Sequence, residues 1–208
     1  MNPYKNMKSK TIFSLLCALG MLALAGQANA ALIVTNGNFQ NLAGLAVTGG
    51  GWYGGVPTGW SGLSYPGYEI LDAGSGNYIA NLQQLASTSQ YLSQSVGTTD
   101  LTGNVTLTFD LPGTLGTTYT VGVVIARGPI GNNDVLIYAP FTNVTGTQTL
   151  TATNVASGTP LSVGFFYLSY VHAPALDNVS ISQIPEPSSV ALLGVGLASM
   201  AFLRRRRR

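Results

Sequence analysis

The sequence predicts an antiparallel β-sandwich of the jelly-roll kind for residues 31–184, and three observations carry the prediction. Apolar and polar residues alternate with period two in one segment after another. Clusters of Gly, Asn, Pro and Thr separate those segments, as in Leu111-Pro112-Gly113 and Gly131-Asn132-Asn133-Asp134. No stretch between 31 and 184 repeats with a helical period.

Taken in order, the segment Ala31-Leu32-Ile33-Val34 reads as a first strand. Weaker alternation follows at 78–82 and 91–96. The clearest is Val105, Leu107, Phe109 and Leu111, interleaved with Thr106, Thr108 and Asp110, a strand with one face in the core. Tyr119, Val121, Val123 and Ile125 repeat the pattern, as do Leu161, Val163, Phe165 and Tyr167. Residues 135–138, 148–152 and 179–181 complete a set of about eight or nine short strands, the pattern of a sandwich or jelly roll. The first segment and the last, Asn178-Val179-Ser180-Ile181, are expected to lie together, as end strands of such folds do.

The two ends are of different character. Lys5, Lys8 and Lys10 precede an apolar run from Ile12 to Ala25, and Ala28-Asn29-Ala30 places small residues, Ala28 and Ala30, where a signal peptidase reads them. Residues 1–30 are therefore expected to be a signal peptide for the secretion machinery. At the other end Pro185-Glu186-Pro187 and two serines lead into the apolar stretch Val190 to Leu203, then five arginines. Two prolines flanking one residue hold that tripeptide extended and legible to an enzyme that reads backbone shape. The apolar stretch, helped by snorkelling arginines, can span a thin bilayer as a transmembrane helix with its C-terminus in the cytoplasm.

Charge narrows the function classes. Between 31 and 184 Arg127 is the one cation, set against Glu69, Asp72, Asp100, Asp110, Asp134 and Asp177, a formal charge of −5. Such a domain does not neutralise phosphates, so nucleic acid is excluded as a partner. The single cysteine, Cys17, lies in the leading apolar run, leaving the domain without thiol chemistry or intrachain disulfides. About 150 residues bury roughly two thirds of their unfolded surface, enough for a core without such staples.

Motif, spacer, apolar stretch and basic end, in that order, resemble the PEP-CTERM sorting signal of Gram-negative bacteria. The resemblance implies that a membrane-embedded exosortase recognises Pro185, Glu186 and Pro187, cuts near them, and sends the domain to the cell surface or the extracellular polysaccharide matrix of a biofilm. The alternative is a plain tail anchor with the prolines as linker. Within the domain, residues 32–40 (Leu-Ile-Val-Thr-Asn-Gly-Asn-Phe-Gln), Pro57-Thr58-Gly59-Trp60 and Ala175-Leu176-Asp177-Asn178-Val179-Ser180 resemble galactose-binding-like domains related to carbohydrate-binding modules. In those relatives an acid after the first Asn-Gly-x-Phe and the aspartate of the last strand hold a structural calcium ion. Asp177 matches the second position, whereas Gln40 stands where the first acid would be, so one charged ligand of an oxygen-only site is missing. Asp177 capping the turn into the last strand is the competing reading.

Trp52, Tyr53, Trp60, Tyr65 and Tyr68 crowd a Gly- and Pro-rich region without a strand pattern. Aromatic rings on loops can form platforms for sugars, with Glu69 and Asp72 taking hydroxyls, or they can cover the end of the sandwich. His172, the one histidine, lies in Tyr170-Val171-His172-Ala173-Pro174 just before the last strand; serines are plentiful, but no Gly-x-Ser-x-Gly element or strand-to-helix turn accompanies it, so a loop histidine with no catalytic role is expected. The expectation is a non-enzymatic exported protein with weak carbohydrate binding. A purely structural matrix or adhesion component is the alternative, and a polysaccharide hydrolase using Glu69 or Asp72 a third.

Overall fold

The computed structural model describes residues 32–62, 69–82, 91–113, 119–131, 134–168 and 174–185. His172, Tyr65, Tyr68, Ala28, Ala30, Glu186, Pro187 and the expected transmembrane stretch 190–203 lie outside them. Among the described residues no helix is long and apolar enough to cross a membrane.

Eleven strands are found there: β1 (Ala46–Gly49), β2 (Trp52–Gly54), β3 (Glu69–Asp72), β4 (Tyr78–Asn81), β5 (Leu92–Thr98), β6 (Gly103–Leu111), β7 (Thr120–Arg127), β8 (Val135–Thr142), β9 (Gly146–Val155), β10 (Pro160–Tyr167) and β11 (Ala175–Pro185). They form a seven-stranded sheet, β1-β2-β3-β4-β11-β6-β9, and a four-stranded sheet, β5-β10-β7-β8, with every pairing antiparallel. Without β1 to β3, the orders β4-β11-β6-β9 and β5-β10-β7-β8 are the two interlocked Greek keys of a jelly roll. The predicted architecture is thus the observed one, with a short meander, β1 to β3, added at the β4 edge.

Alternation sets the core. In β6, Val105, Leu107, Phe109 and Leu111 are buried while the residues between them are half-exposed. Across the sandwich, Val121, Val123 and Ile125 of β7 and Leu161, Val163 and Phe165 of β10 are fully buried. Phe109 meets Phe165 edge-on at 5.3 Å between ring centres, joining the two layers.

Residues 32–34 correct the expectation of a first strand. They pair with no strand, and Ile33 N donates instead to Val96 O of β5 at 2.9 Å. The chain turns at once, with Asn36 and Phe39 at positive φ of 52° and 55°. The Asn36 side chain accepts from Asn41 N at 2.9 Å and donates to Asn41 O at 3.1 Å, standing in for a backbone partner. Proximity to the last strand is real but rests on one residue. Gly37 O accepts from Val179 N at 2.9 Å, and a Cβ on Gly37 would sit 2.0 Å from Val179 O, so only glycine permits the approach. The Asn-Gly-Asn-Phe motif is therefore a clasp: a turn-former, a close approach, and Phe39 fully buried beneath it.

The region around Trp52 is also corrected, since it carries strands β1, β2 and β3. Three- and four-residue strands are too short to show a period, and Gly49, Gly50 and Gly51, at positive φ of 97°, 63° and 85°, turn β1 into β2.

Candidate functional site

Strand alternation separates the aromatic residues singled out in the sequence. On β2, Tyr53 pairs with Ile70, which is fully buried, and so belongs to the core-facing row; Trp52 pairs with Leu71 on the opposite face. Tyr53 meets Tyr78 edge-on at 5.6 Å, and the hydrogen bond between the two hydroxyls raises the pKa of Tyr78 above the usual tyrosine value. Trp60 is a core residue, 6% exposed. It stacks on Phe39 at 5.5 Å, leans on Phe165 at 6.1 Å, and donates its indole N–H to Asn36 O at 3.2 Å. A ring so enclosed offers no face to a sugar. Asp72 Oδ1 accepts from Gly74 N at 2.8 Å and so caps the turn that follows β3. Glu69 opens β3 and Asp72 closes it.

A concave site forms elsewhere, on the outer face of the four-stranded sheet. With Leu161, Val163, Phe165 and Tyr167 of β10 turned inward, Ser162, Gly164 and Phe166 face away from the other sheet. Register brings Ala126, Val124 and Gly122 of β7 beside them on that face. Tyr138 of β8 pairs with Val124 and joins the same row. The result is a groove of about 280 Å³ whose floor is Val124 and Ala126 and whose walls include Tyr91, Ile130, Tyr138 and Phe166.

Glycines shape it. A Cβ on Gly122 would lie 2.4 Å from the Phe166 ring, so that ring rests directly on the bare backbone of β7. A Cβ on Gly164 would lie 3.0 Å from Val124 and 3.2 Å from Ile130, so this glycine lets the β7–β8 loop close over the floor. Phe166 is held between Tyr91, edge-on at 5.3 Å, and Tyr138, stacked at 5.6 Å and 17°. Tyr138 is 45% exposed, an open aromatic surface beside an apolar floor. At the rim, Asp134 pairs with Arg127 at 3.6 Å, both side chains half in solvent, so the pair adds little stability.

Sequence reasoning missed Tyr91, Tyr138 and Phe166. The available signal was in β7 and β10, whose runs Val121-Gly122-Val123-Val124-Ile125-Ala126 and Val163-Gly164-Phe165-Phe166 are apolar at successive positions. Strands apolar on both faces are covered on both faces, or bind something on one.

Asp177 is the remaining candidate. It is 4% exposed at the bulge where β11 shifts register between Asp177 and Ser180, with Asn178 at a φ of 48°. Burial pushes its carboxyl above the ordinary aspartate range, as does the nearby Asp110, while the Asn178 backbone N–H and a side-chain hydrogen bond from Asn77 act the other way. Asp110 Oδ1 accepts from Thr147 Oγ1 at 2.6 Å and its Oδ2 from Asn178 Nδ2 at 2.9 Å. Both carboxylates are thus engaged by neutral donors. Gln40 presents an amide nitrogen toward oxygens, donating to Asn38 O at 2.9 Å. A donor where a ligand oxygen is needed, beside one buried carboxylate, does not fit a calcium ion. Among the described residues no three His, Cys, Asp or Glu side chains cluster as a metal site.

Residues 183–208 match the PEP-CTERM protein-sorting motif. The C-terminus of this chain therefore carries that motif, a signal for export and for processing by an exosortase, with Pro185 of β11 as its first proline. No curated protein matches the chain. Solved structures to which it is similar include a CBM4 domain, at 16% identity over 61% of this chain and 95% of that one, with a TM-score of 0.43. Another is the CBM22-1 xylan-binding domain of Paenibacillus barcinonensis Xyn10C, at 15% identity over 78% and 99%, with a TM-score of 0.43. A third is the K3 cleaved adhesin domain of Lys-gingipain from Porphyromonas gingivalis, at 13% identity over 62% and 94%, with a TM-score of 0.39. At such distance these likenesses say nothing about ligand.

Proposed function

We propose that this chain is a non-enzymatic protein of the cell surface or extracellular polysaccharide matrix, cut near Pro185 after export, whose jelly-roll domain binds a neutral polysaccharide weakly through the groove on the four-stranded sheet. The observation that carries the reading is the row Tyr91, Phe166 and Tyr138 over a floor of Val124 and Ala126. Sugar rings present flat C–H faces to such surfaces, and open grooves accept an interior segment of a chain as readily as its end. A groove of about 280 Å³ takes one or two sugar units, which limits affinity. Trp52, on the outer face of the larger sheet, offers at most a secondary contact.

The test is migration of the purified chain through gels containing soluble neutral polysaccharides, with Tyr138→Ala and Phe166→Ala beside wild type. Retardation of wild type that both variants abolish, with no release of reducing sugar, supports the proposal. Retardation untouched by either variant removes the groove from it, and sustained release of reducing sugar removes the non-enzymatic reading. A purely structural matrix component is the second reading, favoured by β1, an edge strand exposed along its whole length; it predicts self-association and no retardation.

A further inference from the structure

The loop that follows the Asn-Gly-Asn-Phe clasp approaches the last strand through a row of oxygen acceptors. Gln40 Nε2 faces three of them: Asn38 O at 2.9 Å, Asn77 Oδ1 at 3.4 Å and Tyr78 O at 3.4 Å. Three acceptors around one amide atom fix that atom as the nitrogen, because the amide oxygen there would meet only other oxygens. Asn77, its Oδ1 occupied by Gln40, donates in turn to the buried Asp177 carboxylate, which also accepts from Asn178 N at 2.7 Å. A continuous path of hydrogen bonds therefore runs from residue 40 through residue 77 to β11. The second acid nearby, Asp110, is occupied separately by Thr147 and Asn178.

We infer that the Gln40 side-chain amide does with neutral hydrogen bonds the joining that a divalent cation would do between the first loop and the last strand, so that the domain keeps its full stability without calcium. The chemistry follows from the donor inventory. An uncharged NH₂ group satisfies neutral carbonyl oxygens without the desolvation that a divalent ion demands, and it leaves a single carboxylate, Asp177, which its own neighbours satisfy. A carboxylate at position 40 reverses this. It brings acceptors against acceptors, and only a cation among them relieves the repulsion. Calcium dependence therefore turns on one side chain.

The experiment follows thermal unfolding of the full chain in detergent by tryptophan fluorescence, with Trp60 beside the clasp as reporter, in chelator and in millimolar calcium. Wild type is expected to melt at the same temperature in both. Gln40→Glu is expected to melt lower in chelator and to gain about 3 °C or more when calcium is added. Gln40→Ala, which removes the donor without adding charge, should lose stability equally in the two buffers. Wild-type melting that falls in chelator overturns the inference, as does calcium-dependent melting of Gln40→Ala. Gln40→Glu that melts identically with and without calcium also overturns it. Should that variant fold only in calcium, the inference stands; should it fold in neither buffer, wild type and Gln40→Ala decide.

Discussion

Trp60 and Gly122 show how differently single residues serve this domain. Trp60 is enclosed by Phe39 and Phe165. Truncation to alanine is expected to cost about 3–5 kcal/mol through lost contacts and a residual cavity. Against a total stability of about 5–15 kcal/mol, that is enough to leave the variant unfolded or nearly so, which urea titration would show. A Trp60→Ala chain that unfolds at the wild-type urea concentration would contradict its place in the core. Gly122→Ala acts on the groove instead. Its methyl group meets the rim of the half-exposed Phe166 ring, which can swing outward, so the stability cost should stay near 1 kcal/mol while the aromatic row is broken. Polysaccharide affinity should fall about tenfold, equivalent to about 1.4 kcal/mol; unchanged affinity would separate Phe166 from binding. Asp177 adds a pH dependence whose sign is set by burial. Its folded-state pKa lies above the unfolded value of about 3.9, so the folded protein holds the proton more tightly. Ionisation therefore costs stability, and that cost disappears as pH falls through the folded pKa toward the unfolded one. The melting temperature of wild type minus that of Asp177→Asn should move in favour of wild type between about pH 7 and pH 4. A difference that is flat, or moves the other way, would count against the buried charge.

Among the elements, those legible in the sequence were the long strands with one wet face. In β6, Thr106, Thr108 and Asp110 mark the wet side, so the alternation at Val105, Leu107, Phe109 and Leu111 could be read directly. The elements missed are those whose signal is weaker physically. Strands β1 to β3 span three or four residues, and residues 32–34, apolar enough for a strand, are diverted by the turn at Asn36. Of the candidate ligand residues, Tyr53 and Trp60 proved core-facing, because aromatic composition does not reveal which face a ring takes. The groove stayed hidden because only register across β10, β7 and β8 brings Phe166, Val124 and Tyr138 into one row. Strand β11 ties fold to sorting. It pairs with β6 from Asp177 opposite Asp110, across the register shift before Ser180, to Pro185 opposite Gly103, so the sorting motif, residues 183–208, begins while the chain is still in the ladder. Pro185 lacks the N–H that a further rung would need, which suits a strand end. Removal of everything after Pro185 should therefore leave the melting temperature unchanged. Truncation after Val179 strips β6 of that partner at the centre of the larger sheet and should abolish cooperative unfolding. Equal melting of the two truncations would mean that the β11–β6 ladder is dispensable.

At the scale of the molecule, a domain with a formal charge of −5 meets its ligand across a groove whose one charged lining residue, Asp134, is already paired with Arg127. Recognition there has to come from ring stacking and apolar contact, which salt does not screen, since the Debye length governs only interactions between charges. The long-range field of the domain acts against polyanions: six acids and one cation repel uronate- or sulfate-bearing chains before the groove is reached. A preference for neutral polysaccharides and an indifference to ionic strength follow from the same distribution of charge. Binding of a neutral polysaccharide should hold constant, within about twofold, between about 20 mM and 500 mM NaCl, a range over which the Debye length falls from roughly 20 Å to less than 5 Å. Any residual binding of an anionic polysaccharide should strengthen with salt as the repulsion is screened. The opposite result for residues 31–184, affinity for a polyanion that collapses as salt is added, would require a cationic contact that Arg127, the one cation of that segment, would have to supply. Arg127→Gln would then abolish it, and the recognition surface would have to be relocated from the aromatic row to the Arg127 rim.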